Sequence, residues 1–454
     1  MRDRGGKRGG VGIFAVAWMV LVVGVANAEE PFVVVRQGQA EAVRSEQPTA
    51  GVLFERGDVR VLRRTGVEDA AFDDRYVVLL APDDAVVPEW PRGVETRHFE
   101  PGRFVIVEMG DRAVREVSAE LHRRGAGCGA VVRLTGDVAR KEQVRDPEPI
   151  RPVHDDLADF GRVLDDVDSA EIEETVRLMS TRWRTRWHET PCGKDVPRWL
   201  AERYRSMAEG KSHVQVTTFE HRSCDLRSPQ RSVIVRIEGT SRPEEVIVLG
   251  SHLDSVGSCG LEACAAPGAD DDASGTATNL EVFRVWMESD VRLERTVEIH
   301  AYAAEEAGLL GSKDVAREYA ERGIDVHAMV QLDMNLYKRS GRDQIFFVKN
   351  GTNARLNDLL NDLAKRYAGV ETGSKDLWPA SSDHSSWERK GFAASFPFED
   401  PVDFNPELHT DDDVVTETSR FSQASAFARL ALAYLAHLGG WPASRSPPPP
   451  SGAR

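Results

Sequence analysis

Five short segments hold the residues whose types could do chemistry: His252-Leu253-Asp254, Gly268-Ala269-Asp270-Asp271-Asp272-Ala273-Ser274-Gly275, Ala304-Glu305-Glu306-Ala307-Gly308, Gln331-Leu332-Asp333-Met334 and Pro406-Glu407-Leu408-His409-Thr410. Together they offer two imidazoles and several carboxylates. Nitrogen and oxygen donors of this kind suit zinc or a similar divalent ion. Carboxylates grouped so tightly need cations to offset their repulsion. Taken singly, each segment has a simpler explanation. A His or Asp at a strand end is commonly a hydrogen-bonded structural group, the Glu pair could be a solvated helix start, and the Asp triplet a helix cap.

The elements around the segments change that balance. Ser232 to Ile237 and Val246 to Gly250 read as strands, Ala273 to Glu288 as a helix, Thr296 to Ala303 as a strand, Asp314 to Arg322 as a helix and Val326 to Leu332 as a strand. This alternation indicates an α/β fold with a helix-flanked mixed, largely parallel sheet. The His252, Glu305 and Asp333 segments each end an apolar strand, and the carboxyl ends of strands in an open α/β sheet face one crevice. The polar residues are therefore expected to converge. Two helical stripes, Leu356, Leu359, Leu360, Leu363 and Tyr367, then Phe427, Leu430, Ala431, Tyr434, Leu435 and Leu438 before Gly439-Gly440, are core positions and not sites.

In this order the five segments resemble the di-zinc aminopeptidase family that includes secreted bacterial leucyl aminopeptidases, over about residues 170–440. The resemblance implies a zinc exopeptidase fold and two zinc ions per chain that share one carboxylate. Position by position, His252 and Asp333 would bind one zinc, Glu306 and His409 the other, and Asp271 would bridge them. Glu305 would be the general base, and Asp254 would orient His252. His384, in Ser382-Asp383-His384, competes for the last ligand, but the family places that ligand in the later His-Thr pair, so His409 is assigned. Asp383 and His384 then stand behind the ligands or line the pocket. Two zinc ions, three carboxylates and one hydroxide would sum to a neutral cluster. Some secreted members have a Cys-x-Tyr-x-Cys loop where this chain has Leu377-Trp378-Pro379-Ala380-Ser381, so a substrate-facing tyrosine is missing. Met334, Phe396, Phe398, Phe404 and Leu408 flank the segments and either line an apolar substrate pocket or belong to ordinary core. The implied partners are peptides with a free N-terminus and an apolar first residue.

Three other readings compete. A carboxypeptidase on the same fold would need a cationic clamp, for which Arg389 and Lys390 are near enough in sequence. A glutaminyl cyclase fits less well, because Gly308-Leu309-Leu310-Gly311-Ser312 and Asp272-Ala273-Ser274-Gly275 resemble the peptidases. A non-catalytic binding module should have lost ligands, whereas all five and the base are present.

The rest of the chain narrows the setting. Its 454 residues carry 58 Lys+Arg against 74 Asp+Glu, a net charge of −16, which makes nucleic acid a poor partner because counterion release needs a basic surface. A basic start (Arg2, Arg4, Lys7, Arg8), an apolar run from Val11 to Val25 and Ala26-Asn27-Ala28 read as a signal peptide in residues 1–28. That implies a secreted or periplasmic chain with no membrane segment after cleavage. Export permits disulfides. The five cysteines are Cys128, Cys192, Cys224, Cys259 and Cys264, and the most local pairing is Cys192–Cys224 with Cys259–Cys264. Residues 29–165 read as a small propeptide-like or accessory α/β domain ending in a polar, proline-bearing link from Arg140 to Asp156. Residues 166–440 are the catalytic domain, and residues 441–454 a Pro-rich disordered tail. Expressed with its leader in an exporting host, the chain should begin at Glu29 by intact mass; an exported chain that keeps Met1 would make the segment an anchor instead.

Overall fold

The computed structural model describes residues 31–36, 52–56, 59–63, 75–80, 86–101, 103–110, 113, 117, 131–133, 160–221, 229–257, 265–339, 341–377 and 381–442. The signal peptide, the link from Arg140 to Asp156, most of the expected helix near Ala113 to Arg124, and Cys128, Cys224, Cys259 and Cys264 lie outside these residues. The proline tail lies outside them from residue 443 onward. Cys192 is a free thiol, half-buried at the edge of the core. The chain divides into two compact units, Met1–Glu68 and Asp69–Arg454.

The first unit carries an antiparallel sheet of β1 (Phe32–Arg36), β2 (Val52–Arg56) and β3 (Val59–Arg63), with β3 central. The second unit begins with four antiparallel strands: β4 (Arg75–Leu79), β5 (Val94–Glu100), β6 (Phe104–Met109) and β7 (Val131–Arg133), in the order β5-β6-β4-β7.

The largest sheet contains β8 (Val214–Phe219), β9 (Ser232–Ile237), β10 (Arg242–His252), β11 (Arg295–Tyr302), β12 (Asp325–Gln331) and β15 (Ala394–Ser395). Its order is β15-β12-β10-β11-β9-β8. The pairings from β15 to β11 are parallel, and β9 and β8 extend the edge antiparallel. Strand β10 sits centrally with both faces covered, so it reads as a continuous apolar run and not as alternation. Ile247 and Leu249 join one core with helices α2 (Ser169–Arg182), α3 (Pro191–Met207), α4 (Ala273–Ser289) and α8 (Phe421–Gly439). Val246 and Val248 face a second core with α5 (Leu310–Glu321) and α7 (His384–Arg389). Each fully buried aliphatic residue stabilises these layers by roughly 1.5–3 kcal/mol.

The remaining elements complete the second unit. Helix α1 (Phe160–Asp165) precedes α2. Strands β13 (Gln344–Val348), β14 (Glu371–Lys375) and β16 (Pro397–Phe398) form a small sheet. Helix α6 (Ala354–Leu363) passes at its end into a π-helical turn, Ala364–Ala368, which carries the last stripe residue, Tyr367. Gly440, with φ +81°, ends α8 in the left-handed conformation that glycine adopts without strain. Among the described residues no helix is long and apolar enough to cross a membrane.

One boundary differs from its expectation. Helix α5 begins at Leu310, four residues before Asp314, where the sequence reading started it. Asp314 is instead interior and buried, 3.3 Å from His221 Nδ1 and 2.7 Å from Arg317. The turn into the helix is made by Gly308 and Leu309, both at positive φ.

Helix α4 approaches the β12 end so closely that a Cβ on Gly275 would overlap the Leu332 carbonyl oxygen. Gly161, in α1, has open space around its Cβ position. Gly275→Ala should therefore cost about 1–3 kcal/mol by overpacking, whereas Gly161→Ala should be neutral or stabilising. Chelated chains compared by thermal unfolding check this, and equal Tm values for the two variants would contradict the close approach.

Candidate metal centre

Three neighbouring parallel strands deliver the expected residues to one end of the sheet. His252 is the last residue of β10, Glu305 and Glu306 follow β11, and Asp333 follows β12. Asp271 comes from the loop that starts α4, and His409 from the long connection between β16 and α8. All of these side chains are buried, Glu305 at 0% exposure.

The arrangement is two triads with a common member. His252 Nε2 lies 2.9 Å from one oxygen of Asp271 and 3.5 Å from Asp333. His409 Nε2 lies 2.9 Å from the other oxygen of Asp271 and 3.2 Å from Glu306. The donor atoms of His252, Asp271 and Asp333 lie within 4.8 Å of one another, as do those of Asp271, Glu306 and His409. One carboxylate thus presents an oxygen to each side. Neither ring nitrogen of His252 makes a well-formed hydrogen bond, and Asp333 Oδ1 and both Glu305 oxygens have no hydrogen-bond partner. Buried polar atoms are normally satisfied, so a cluster of exceptions aimed into one space is the mark of a cation site. The donor set of two imidazoles and three carboxylates fits two divalent ions of the zinc class.

Other acids hold these donors in place. Asp254 accepts hydrogen bonds from the main-chain N–H groups of Glu305 (2.9 Å) and Glu306 (3.2 Å), with the same carboxylate 3.7 Å from His252 Nδ1. Asp272 caps α4 through Gly275 N (2.7 Å) and accepts from His252 N (2.9 Å), which locks the strand end to the helix start. Asp413 accepts from the N–H groups of Asp270 and Asp271 and from Asn405 Nδ2, joining the His409 connection to the Asp271 loop. Ser382 donates to Asp333 at 2.5 Å, and Gln331 donates to Asp383 at 3.1 Å. Ala304, Met334 and His409 hold positive φ values of 54°, 54° and 59°. Such strain in non-glycine residues persists only where tertiary contacts impose it.

The electrostatics call for positive charge. Burial opposes protonation of His409, yet Glu306 and Asp271 raise it to about 10. His252 is likewise raised well above its ordinary value, against burial, by Asp333, Asp254 and Asp271. Burial would raise the Asp271 carboxyl, but the two histidines hold it well below the usual range. Burial lifts Glu305 well above an ordinary carboxyl, against the pull of His252 and with help from Asp383, Glu306 and Asp333. In the metal-free chain the site thus takes up protons where metal ions would otherwise supply the charge.

Beside the triads, Met334, Val348, Leu377, Phe396 and Phe398 form a buried apolar cluster, with Phe404 and Leu408 packed against it. His384 stacks on Phe396 with ring centroids 4.8 Å apart, and burial lowers its pKa to about 3. It belongs to neither triad. Arg389 is the last residue of α7 and exposed, and Lys390 is half-buried. Trp378, Pro379 and Ala380 lie outside the described residues.

Sequence reasoning singled out Asp254 and Asp383 among the supporting groups but missed Asp413 and Arg186. Asp413 is the third acid of a run whose other two, Asp411 and Asp412, are exposed, and Arg186 is one of three alternating arginines of which Arg182 and Arg184 are exposed. Only the fold distinguishes them.

The chain is similar to several known proteins. Residues 232–435 match the family described as peptidase family M28. The chain is 30% identical over 365 residues to a probable aminopeptidase of Saccharomyces cerevisiae, covering 76% of this chain and 94% of the relative. It is 32% identical over 380 residues to a probable leucine aminopeptidase of Arthroderma otae, covering 81% and 91%. Among solved structures, LapB of Legionella pneumophila superposes with a TM-score of 0.67 at 25% identity, covering 81% of this chain and 99% of LapB. The LapA aminopeptidase of the same organism gives 0.68 at 23% identity and supports the fold.

Proposed function

This chain belongs to peptidase family M28 and is a metallo-aminopeptidase, and from that premise we propose a secreted di-zinc enzyme that removes apolar N-terminal residues from peptides with Glu305 as general base. What carries this reading is the pair of triads sharing Asp271. His252 and Asp333 would hold one ion, Glu306 and His409 the other, and Asp271 both. When bound, the two ions would lower the pKa of the attacking water, polarise the scissile carbonyl and offset the charge on the tetrahedral oxygen.

The protein's own part is proton management and positioning. Glu305 is buried with both oxygens unpartnered, and its neighbour Glu306 belongs to a triad while Glu305 belongs to neither. It is free to take the water proton and pass it to the leaving amine, a role worth ~10²–10⁴ in rate. Asp254 fixes the Glu305-Glu306 turn and faces the far side of the His252 ring, so a single carboxylate sets the relation of base to ligand. Surplus carboxylate around the crevice favours a substrate's free ammonium group. The apolar cluster reaches the triads through adjacent residues, with Met334 following Asp333 and Leu408 preceding His409, which supports an apolar first residue. A carboxypeptidase would need a cation facing the cleft, and Arg389, whose charge acts on His384, is the group that keeps this as the alternative reading.

Chelation should abolish hydrolysis and zinc restore it, with close to two zinc ions per chain by metal analysis. Glu305→Gln should lower kcat by ~10² or more and keep its zinc, whereas Asp271→Asn should lose metal. If Glu305→Gln loses both ions while Glu306 is intact, the roles of the two acids are exchanged.

On 4-nitroanilides, the Leu derivative should outrun Ala and Asp, since each extra methylene in an apolar pocket favours binding by roughly 1–3 kcal/mol. Comparable hydrolysis of N-acetylated substrates would count against aminopeptidase action.

A further inference from the structure

Arg186 is a fully buried cation that the reading of the centre above does not use. It precedes Trp187 in the segment between α2 and α3, with 0% exposure. Its guanidinium spends its hydrogen bonds on main-chain carbonyls: Nε donates to Leu253 (3.0 Å), Nη1 to Pro267, and Nη2 to Gly268 (2.8 Å) and Asp271 (3.4 Å). Leu253 directly follows His252, and the other three acceptors belong to the loop that carries the shared carboxylate. The main chain of Arg186 extends the reach. Its N–H donates to Ser255 Oγ at 3.0 Å, and its carbonyl accepts from Gln230 Nε2 at 3.2 Å. Gln230 Oε1 in turn accepts from the N–H of Ala304, next to Glu305, at 3.1 Å. One residue therefore links the His252 strand end, the Asp271 loop and the Glu305-Glu306 turn.

Its charge has a second effect. The acids whose charge favours the protonated guanidinium, against its burial, are Asp413, Asp271, Asp272 and Asp254. A neutral cluster of two zinc ions, three ligand carboxylates and one hydroxide leaves the supporting acids uncompensated. A permanent cation held by carbonyls supplies charge there without occupying any donor that the metals need. Lysine would keep the charge but not the planar fork that reaches four carbonyls.

We propose that Arg186 is the positioning residue of the metal centre, fixing Asp271 relative to His252 and Glu305 and balancing the acids behind them. This rests on the di-zinc reading of the site. It deepens that reading, because it predicts an effect on the metal itself from a residue that touches neither metal nor substrate.

The test is a zinc-affinity series on the full chain, read by competition with a chromophoric chelator, alongside kcat, KM and Tm. Arg186→Met should bind zinc 10–100-fold more weakly than the wild type, and at saturating zinc should lose kcat more than it changes KM. Arg186→Lys should fall between them, and added methylguanidinium should restore zinc affinity to Arg186→Gly. Leu430→Ala, in the core of α8 far along the chain, serves as a match for lost stability and should keep wild-type zinc affinity. Should Arg186→Met not fold, the Lys variant and the methylguanidinium arm read the same effect. Wild-type zinc affinity in the Met or Lys variant, with only Tm lowered as in Leu430→Ala, would overturn this inference alone. A wild-type chain that binds no zinc would overturn both this and the proposed function.

Discussion

Repulsion among buried carboxylates is the constraint around which this protein is built. Asp254, Asp271, Asp272, Glu305, Glu306, Asp333 and Asp383 crowd one end of a sheet at 6% exposure or less, with two imidazoles among them. Isolated charges cannot remain there, because desolvation drives the carboxyls to protonate, as it does for Glu305, Asp272 and Asp383. The crowding is tolerable only with compensating cations. The apolar sheet, whose central strand is buried on both faces, supplies the rigidity that keeps like charges together when each would otherwise relax toward water.

The same sheet explains how so few elements position so many donors. Parallel neighbours β12, β10 and β11 end side by side, so three loops start from a common line and each needs only a few residues to reach the crevice. Two of these loops depart from ordinary backbone geometry next to a donor, at Ala304 and Met334, and the β16–α8 connection does so at His409 itself. Hydrogen bonds from other loops hold these bends: Gln230 on Ala304, the Met334 carbonyl accepting from Glu399 N–H, and Asp413 across from the His409 connection to the Asp271 loop. The site is thus a network of loops tied to one another, mounted on the ends of three paired, buried strands.

Legibility in the sequence followed this division. The four inner strands of the large sheet, unlike the edge strands β8 and β15, were readable because burial on both faces leaves apolar runs. His252, Glu305, Glu306 and Asp333 were readable because they sit where those runs stop. Two kinds of feature were not. The start of α5 was placed four residues too late, because the turn that opens the helix is made by the backbone at Gly308 and Leu309 and not by a capping side chain. Of the supporting charges, Asp254 was readable beside His252, whereas Asp413 and Arg186 were not, because their neighbours in sequence have the same chemistry. They differ from Asp412 and Arg184 only in which way a loop turns, and that depends on partners 67 to 143 residues away in the chain.

Those supporting charges also decide what kind of metal centre this is. In a small zinc-folded domain the ion substitutes for a core, and removing it unfolds the chain. Here α4 and α8 are buried along nearly their whole length and Tyr434 ties α8 to the β10 carbonyl of Val248, so the scaffold has a core of its own. What depends on cations is the local balance. Protonated His409 and His252 can replace some of the missing positive charge, and Arg186 supplies a fixed share of it from behind the Asp271 loop. Metal binding must then displace protons from the histidines, so affinity falls as pH falls through the range where they charge. Arg186 keeps its hold on the Asp271 loop through that exchange, because the main-chain carbonyls it binds do not titrate and a guanidinium stays charged.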